Sequence, residues 1–349
     1  MRRIGIVAAT GLTLDSFFPG IRDGLQASGL QVHLAAGTPT RLLPSTTLRS
    51  LTRRPGLRNV GASRELHRWV EDQDLDLVVA NTATASFLVR LALREVPVVY
   101  FAHGLHWSRT GDPRTRHWEL LERAALGRTS GVIVLNREDE DWVSKRAPRL
   151  PVLRLTHGVG LSPGAYPRFP VEGRDRLVWI GEHSRRKRPE TAVEVVRVLL
   201  ARRPALRLRM LGEGPLTGRL AAHITRAGLA EAVELVGHVP VAPELRRASA
   251  LLHTARWEGL PRVVLEAQAT GRPTVAYDVK GLRGLAQVHT VTDGDVGALA
   301  RRVEQVLDRR VAAGSFPTLQ ELSTGHAVVQ LLPFLRGVWG GGRDPQGSR

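Results

Sequence analysis

Short runs of apolar residues alternate with longer amphipathic stretches along the chain, and this pattern predicts strands and helices. In the first half, the predicted strands are nearly continuous in apolar residues and cover 4–9, 32–36, 75–80, 97–102 and 131–136. The predicted helices between them cover 63–72, 86–94 and 116–126. Continuous apolar runs are typical of parallel strands that are covered on both faces. The alternation therefore predicts an α/β fold with a doubly wound parallel sheet.

The same alternation restarts after a stretch rich in glycine and proline. The predicted strands of the second half cover 177–181, 206–212, 233–237, 250–255 and 273–278. Its predicted helices cover 190–201, 217–227, 262–269, 295–307 and 326–335. We predict a first domain at 1–160, a linker at 161–176, a second domain at 177–325, a C-terminal helix at 326–336 and a disordered tail at 337–349.

The composition restricts the class of protein more than its activity. With 349 residues, the chain is long enough for two domains of ordinary size. It contains no cysteine, which excludes disulfides and cysteine-ligated metals. The basic N-terminus enters a short strand-like run without the long apolar segment of a signal peptide, so we expect a cytoplasmic protein.

The net charge of +17 indicates an anionic partner: nucleic acid, a membrane surface or a phosphorylated substrate. An arginine-rich genomic composition explains the charge equally well. No helix-turn-helix, zinc finger or aromatic-studded basic sheet is visible in the sequence. The interpretation of the chain as a nucleic-acid-binding protein is therefore supported by the net charge alone, and we expect no nucleic-acid partner.

The most informative segment is TARWEGLPRVVLEAQATGRPTVAYDVKG, at 254–281. Glu258 follows a predicted strand, Gly259 permits a tight turn, and Pro261 suits the first turn of a helix. The amide groups near the start of a helix lack intrahelical partners and bind anions. Here these amides belong to Leu260, Arg262 and Val263.

A second glutamate belongs to the same helix start. Side chains on a helix lean towards its N-terminus, so Glu266 reaches back towards the pocket beside Glu258. A carboxylate accepts strong, charge-assisted hydrogen bonds from the two hydroxyls of a ribose or another sugar. The alternative interpretation is that Glu258 caps the helix and Glu266 is a solvated helix residue. The position of the pair between a strand and a Gly-Pro helix start favours a functional site.

Three elements of the sequence resemble family four of the retaining glycosyltransferases, the group 1 glycosyl transferases. They are E-G-L-P-R-x-x-L-E-A in the segment above, AHGLHW at 102–107 and VLNREDEDW at 134–142. Together they are similar to the branch that builds capsules, exopolysaccharides and lipid-linked oligosaccharides. The resemblance covers most of the chain. It implies the GT-B fold, with two facing Rossmann-like domains and a C-terminal helix that returns towards the first.

The resemblance also implies roles for individual residues. Glu266 would hold the ribose of a nucleotide, and Glu258 would contact the donor sugar near the reacting carbon. Lys187 would bind the phosphates, and His103 would lie over the donor sugar from the first domain. An alternative for His103 is a histidine that satisfies loop backbone groups. The donor site would further include Gly259, Leu260, Arg262, Val263 and Gly237, the last at the nucleotide base.

The chain departs from the family pattern at two places. Glu182 stands where most of the family has a second phosphate-binding arginine, and Arg185 with its neighbours Arg186 and Arg188 either compensates or forms a solvated loop. Gly284 and Leu285 replace an acidic residue, and a short connection, AQVHTVTDGD, leads to the last helix of the second domain. These departures leave the fold intact and the choice of sugar and acceptor open.

The resemblance implies an enzyme that transfers a hexosyl or N-acetylhexosaminyl group with retention of configuration. We expect a nucleotide-sugar donor, UDP-linked, and a glycan or a polyprenyl-diphosphate-linked acceptor. Neither a cofactor nor a metal is expected, because no metal-ligating cluster is visible in the sequence. The alternative is a nucleotide-sugar epimerase or a phosphorylase on the same fold; an epimerase acts on the donor alone.

The segment 41–68 combines many cations with scattered leucines. Its arginines are Arg41, Arg49, Arg53, Arg54, Arg58, Arg64 and Arg68, against Glu65 as the only acid. Its leucines before the helix are Leu42, Leu43, Leu48, Leu51 and Leu57. This combination suits the headgroup layer of an anionic membrane, so we expect peripheral association with the inner face of the membrane. A solvated loop is the alternative.

Overall fold

A computed structural model describes residues 1–52, 56–105, 116–162, 164–171, 173, 175–311 and 314–340 of the chain, without the side chains of Arg58 and Arg116. The chain divides into two compact units. Unit 1 comprises Met1–Gly160 and Ser323–Arg349, and unit 2 comprises Leu161–Leu322.

Unit 1 is built on a parallel sheet of seven strands in the order β3-β2-β1-β4-β5-β6-β7. The strands are β1 (Arg3–Ala8), β2 (Gln31–Ala36), β3 (Thr46–Thr47), β4 (Leu77–Asn81), β5 (Val98–Phe101), β6 (Gly131–Val134) and β7 (Val152–Arg154). The helices are α1 (Gly11–Phe17), α2 (Pro19–Ala27), α3 (Ala62–Asp72), α4 (Ala83–Ala92), α5 (Arg116–Leu126) and α6 (Arg137–Arg146). A short 3₁₀ helix, Leu57–Gly61, precedes α3. The central strands β4, β5 and β6 are buried along their whole length, as parallel strands covered on both faces must be.

Unit 2 is built on a second parallel sheet, of six strands in the order β10-β9-β8-β11-β12-β13. The strands are β8 (Arg176–Ile180), β9 (Arg207–Leu211), β10 (Val233–Gly237), β11 (Ala250–His253), β12 (Thr274–Tyr277) and β13 (Val288–Val291). The helices are α7 (Pro189–Leu200), α8 (Thr217–Arg226), α9 (Val241–Arg247), α10 (Arg262–Thr270) and α11 (Val296–Leu307). One continuous core joins the sheet to these helices; it includes Trp179, Met210, Leu252, Val196 and Val303.

The last helix of the chain, α12 (Thr324–Gly340), belongs to unit 1 and packs against α2. The two helices approach closely at Gly24, where a Cβ atom would lie 2.6 Å from Cγ2 of Val328. The helix therefore includes residues 337–340, which the sequence analysis assigned to the tail; residues 341–349 lie outside the described part. Within the described ranges, no helix is both long and apolar enough to span a membrane.

The segment predicted as a linker, 161–176, packs against α10 in unit 2. Its anchor is Arg272, whose side chain is fully buried. The guanidinium donates to the carbonyl oxygens of Phe169 at 2.8 Å and Pro170 at 3.1 Å, and also to three carbonyls at the ends of α9 and α10. These bonds satisfy a buried charge and fix the segment to the second sheet's helices.

The structure confirms the α/β class and all ten predicted strands, whose ends shift by at most two residues. It adds three edge strands, β3, β7 and β13, and four helices, α1, α2, α6 and α9. The short connection that departed from the family pattern contains β13, which pairs in parallel with β12. The strand was missed because its residues are only half-buried.

The prediction that the five leucines between residues 42 and 57 face a membrane is wrong for three of them. Leu43, Leu48 and Leu51 are buried, and the last two pack in the core beside β1 and α3. Leu42 and Leu57 are 72% and 91% exposed. The arginine side chains described in this segment, those of Arg41, Arg49, Arg64 and Arg68, are exposed, whereas Arg53, Arg54 and the Arg58 side chain lie outside the described residues.

Candidate active site

The candidate donor site of unit 2 lies at the carboxyl edge of its sheet, where β8 and β11 end side by side. The two strands pair in parallel, so the loops that follow them begin at the same edge. The loop after β8 carries Arg186 and Lys187, and the loop after β11 carries Glu258. Lys187 Nζ lies 2.5 Å from Glu258 Oε1, and Arg186 Nη1 lies 2.9 Å from Oε2. The structure thus brings together the predicted phosphate-binding lysine and the predicted sugar-binding glutamate.

Glu258 is a buried carboxylate held in its charged form. Only 7% of the residue is exposed, and Nε2 of His253 lies 3.5 Å from Oε1. Burial raises the pKa of Glu258, but the His253 imidazole and the positive charges of Lys187 and Arg186 lower it more, so the pKa lies below its usual value. Burial lowers the pKa of His253 itself.

A network of polar contacts fixes the two loops to each other. The Thr254 hydroxyl accepts from Trp179 Nε1 at 2.9 Å and lies 2.7 Å from the carbonyl oxygen of Lys187. Arg188 donates to the carbonyl oxygens of Thr254 and Ala255, at 2.7 and 3.0 Å, and pairs with Asp293. Arg188 is therefore held by the loop and by this acid and does not compensate for a missing phosphate-binding cation.

The start of α10 follows Glu258 directly. Pro261 is the N-cap residue, and its carbonyl accepts the amide of Val264 at 3.0 Å. The preceding turn packs against Gly281, where a Cβ atom would lie 2.5 Å from the Glu258 carbonyl oxygen and where φ is +80°. Only glycine fits this close approach. Gly259 and Leu260 form the turn, and Arg262 and Val263 begin the helix, as the sequence predicted.

Glu266 lies one turn into α10 and points back along the helix. Its Oε1 accepts from Arg262 Nε at 3.0 Å and from the Tyr166 hydroxyl at 2.8 Å. The residue is 6% exposed, so the interpretation as a solvated helix residue is wrong.

The remaining predicted donor residues occupy the same edge of the sheet. Gly237 ends β10 with φ +74°, and its carbonyl accepts the amide of Gly212 at 2.8 Å. Arg185 is exposed and has no hydrogen bond or ion pair within the described part of the chain, unlike its neighbour Arg186. Glu182 is also exposed.

His103 belongs to unit 1, in the loop after β5. Its ring stacks on Phe101 at 4.5 Å between centroids, and its Nε2 lies 3.1 Å from Asn81 Oδ1. Asn81 Nδ2 donates to the carbonyls of Val7 and Val79, so its Oδ1 is the acceptor. Burial lowers the pKa of His103 from 6.5 to about 4. The imidazole is therefore neutral near pH 7, with the proton on Nε2 and the lone pair on Nδ1.

The second motif of unit 1 supports the loop that carries His103. Asn136 caps α6 through the amide of Asp139, at 2.9 Å. Asp139 is fully buried, and its Oδ2 accepts from the Leu105 amide at 3.1 Å and from Asn136 Nδ2 at 2.9 Å. The elements AHGLHW and VLNREDEDW are therefore in contact through Leu105, which lies two residues after His103.

Comparison with known proteins identifies the family. The model of glycosyltransferase family 4 matches residues 21–162, and the model of glycosyl transferases group 1 matches residues 174–309. The chain belongs to glycosyltransferase family 4. Among its relatives is EpsD of Bacillus subtilis strain 168, named as a glycosyltransferase, which is 27% identical over 309 residues that cover 80% of each chain. Glycogen synthase of Mycobacterium tuberculosis strain H37Rv is 23% identical and aligns with 84% of this chain and 82% of its own.

Solved structures of other glycosyltransferases share the GT-B fold with this family 4 chain. The structure of Anabaena HepE in complex with UDP has a TM-score of 0.74 at 17% identity, covering 97% of this chain and 100% of its own. Sucrose-phosphate synthase of Thermosynechococcus elongatus has a TM-score of 0.72 at 16% identity, covering 98% of this chain and 97% of its own. The chain is thus a glycosyltransferase, and the comparisons do not favour the alternatives of an epimerase, a phosphorylase or a nucleic-acid-binding protein.

Sequence reasoning missed three residues that make polar contacts with the candidate side chains: Tyr166, His253 and Asn81. A polar residue at the end of an apolar run marks both His253 and Asn81, and this signal was available. Tyr166 lies in the predicted linker, where no periodicity pointed to it. No group of three or more metal-ligating side chains lies among the residues the structure describes, and the expectation of a metal-free reaction stays a prediction.

Proposed function

We propose that this glycosyltransferase transfers a sugar, with retention of configuration, from a UDP-linked donor to a glycan or a polyprenyl-diphosphate-linked acceptor in the synthesis of cell-surface polysaccharide. The observation that carries the proposal is the cluster of Lys187, Arg186 and Glu258 beside the start of α10. Two cations and a helix N-terminus suit a diphosphate, and an adjacent carboxylate suits sugar hydroxyls. The solved structures of HepE with UDP and with UDP-glucose support the choice of UDP.

In this proposal the nucleotide lies along the carboxyl edge of unit 2. The base lies at the turn of Gly237, and the ribose hydroxyls donate to Glu266. The diphosphate meets the cations Lys187 and Arg186, the exposed Arg185 and the amides at the start of α10. The donor diphosphate competes with Glu258 for Lys187, because both anions need the same ammonium group. Binding of the donor then releases the Glu258 carboxylate to accept hydrogen bonds from the sugar.

The chemical step follows from the same charges. The bond between the anomeric carbon and the diphosphate breaks, the acceptor oxygen bonds to that carbon on the same face, and the acceptor proton passes to the leaving diphosphate. Lys187 and the helix start stabilise the negative charge that develops on the leaving group, which is the largest catalytic effect in many enzymes. Glu258 supports the positive charge on the sugar. In unit 1, the neutral imidazole of His103 offers Nδ1 as a hydrogen-bond acceptor for a sugar hydroxyl.

The acceptor side of the proposal includes an anionic membrane surface. Leu57 and Val60 are 91% and 83% exposed, and they lie three residues apart on a 3₁₀ helix, where such residues share a face. Exposed arginines at 49, 64 and 68 flank this pair in the sequence. Apolar side chains among cations suit a layer of anionic headgroups, where each cation contributes about 1 kcal/mol.

A donor screen tests the proposed function. A ligand that binds only the native state raises the melting temperature, so UDP-, GDP- and dTDP-hexoses are compared by thermal shift. The donor that binds is then incubated with and without a polyprenyl-diphosphate-linked sugar, and the anomeric configuration of the product is read by NMR. We expect acceptor-dependent transfer from a UDP-sugar with the donor's configuration kept. Conversion of the donor without acceptor, or an inverted product, would contradict the proposal.

A further inference from the structure

Tyr166 contacts the carboxylate that we assign to the nucleotide ribose. Its hydroxyl donates to Glu266 Oε1 at 2.8 Å, although the two residues are 100 positions apart in the chain. The ring is held against an apolar cluster that contains Leu161, Leu265 and Leu322. The phenol is therefore fixed by packing on one side and by a charge-assisted hydrogen bond at its tip.

The two oxygens of Glu266 have different surroundings. Oε1 accepts from both Tyr166 and Arg262 Nε, the latter at 3.0 Å, and a carboxylate oxygen has two lone pairs for such donors. No hydrogen bond reaches Oε2 from any residue in the described ranges. The carboxylate thus has one saturated oxygen and one oxygen with two lone pairs available to a ligand.

We propose that Tyr166 is a positioning residue of the donor site, which saturates Glu266 Oε1 together with Arg262 so that Oε2 alone receives the 2′- and 3′-hydroxyls of a ribonucleotide. This inference rests on the proposed function. It also assigns the substrate class, because a 2′-deoxyribonucleotide such as dTDP would leave one lone pair of Oε2 without a donor. A buried acceptor that loses its partner lowers affinity.

The ionisation of Tyr166 is consistent with this role. Burial and the adjacent negative charge of Glu266 raise the pKa of the phenol above its usual value of 10. The hydroxyl therefore keeps its proton at neutral pH, and it remains a donor to Oε1.

A purely structural role predicts a different outcome. If the hydrogen bond only fixed the segment 161–176 to α10, its loss would weaken every nucleotide to the same extent. If Tyr166 acts through Glu266, its loss weakens only nucleotides whose ribose hydroxyls contact Glu266. The ribose itself therefore separates the two possibilities.

The experiment compares UDP and 2′,3′-dideoxy-UDP by calorimetry on the wild type and on Tyr166→Phe, which keeps the ring and removes the donor. We expect the Kd of UDP to rise about 5- to 10-fold in the variant and that of the dideoxy analogue to change less than about 2-fold. In turnover with a UDP-sugar, KM for the donor rises and kcat is unchanged, because Tyr166 does not contact the reacting carbon. Tyr277→Phe, which removes a phenol hydroxyl from the same unit without touching Glu266, serves as the matched control and should behave as the wild type.

The outcomes separate the inference from the function on which it rests. Equal weakening of both nucleotides in Tyr166→Phe, or no weakening of UDP, would overturn the positioning role while the wild type still prefers UDP. A wild type that binds UDP and its dideoxy analogue equally would remove the ribose from Glu266 and would overturn both the donor-site assignment and the inference. Melting temperatures of the three proteins within a few degrees establish that the variants are folded.

Discussion

Replacing Glu258 by glutamine keeps the shape of the side chain and removes its charge. Lys187 and Arg186 then face a neutral amide at the distances that now hold a carboxylate, 2.5 and 2.9 Å. Removing one partner of a fully buried ion pair costs about 3–5 kcal/mol. The side chains of Lys187 and Arg186 are 11% and 35% exposed, so water compensates in part. We expect Glu258→Gln to lower the free energy of unfolding by about 2 kcal/mol, or the melting temperature by about 4–8 °C.

The same variant is expected to bind nucleotide more tightly. Without the competing carboxylate, the two cations are available to the diphosphate, and we expect the Kd of UDP to fall about tenfold while turnover falls about 100-fold. Calorimetry with UDP and initial rates with the UDP-sugar measure the two effects. Glu231→Gln is the matched control, since Glu231 is exposed and the substitution changes the net charge equally.

The pH dependence of stability gives a further check on Glu258. Because its folded-state pKa lies below the usual 4.5, its contribution to stability is present above pH 4.5 and is lost as the pH falls through the folded-state value. The difference in the free energy of unfolding between wild type and Glu258→Gln should therefore persist at pH 7 and shrink below pH 4.5.

Weaker binding of UDP by Glu258→Gln would refute the reasoning about nucleotide affinity, because the carboxylate would then assist the nucleotide and not compete with it.

Three other predictions concern unit 1. Glu122→Gln should lower the free energy of unfolding by about 3 kcal/mol, because it leaves the fully buried Arg90 without its ionised partner. Urea titrations measure this loss, and a loss under about 1 kcal/mol would contradict the prediction. His103 has a folded-state pKa of about 4 against a usual 6.5, so folding excludes its proton. Relative to His103→Asn, wild-type stability should be full above pH 6.5 and decline as the pH falls towards 4, whereas parallel curves would show a solvated imidazole. The double variant Leu57→Ser/Val60→Ser should float less with anionic vesicles than wild type, and wild-type binding should weaken with added salt; equal flotation would remove this pair as the membrane contact.

The sequence predicted the parts of the donor site that are local in the chain. A buried strand, a glycine, a proline and a helix follow one another around Glu258. Their local conformational preferences all favour the same structure, a strand that turns into a helix start. For this reason the strand ends, the start of α10 and the direction of Glu266 were predictable. The place of Lys187 in the same site was implied by the resemblance to family four of the retaining glycosyltransferases.

The sequence did not predict contacts that join distant segments without a periodic pattern. Tyr166 reaches Glu266 across 100 positions, from a stretch whose glycines and prolines indicate only irregular backbone. The leucines at 48 and 51 are spaced among arginines, but they belong to the core cluster that contains Val7 of β1 and Leu66 of α3. Helix α6 was missed because its surface is charged; its Asn136 cap and three acids in the first turn were a usable signal.

The most direct test of the donor site is the affinity of UDP for the wild type and for Glu266→Ala. The substitution removes the carboxylate that we assign to the ribose, and it leaves Lys187 and Glu258 in place. Calorimetry should give a Kd for UDP at least about tenfold higher in the variant. A folded Glu266→Ala protein that binds UDP as tightly as the wild type would contradict the placement of the nucleotide on α10.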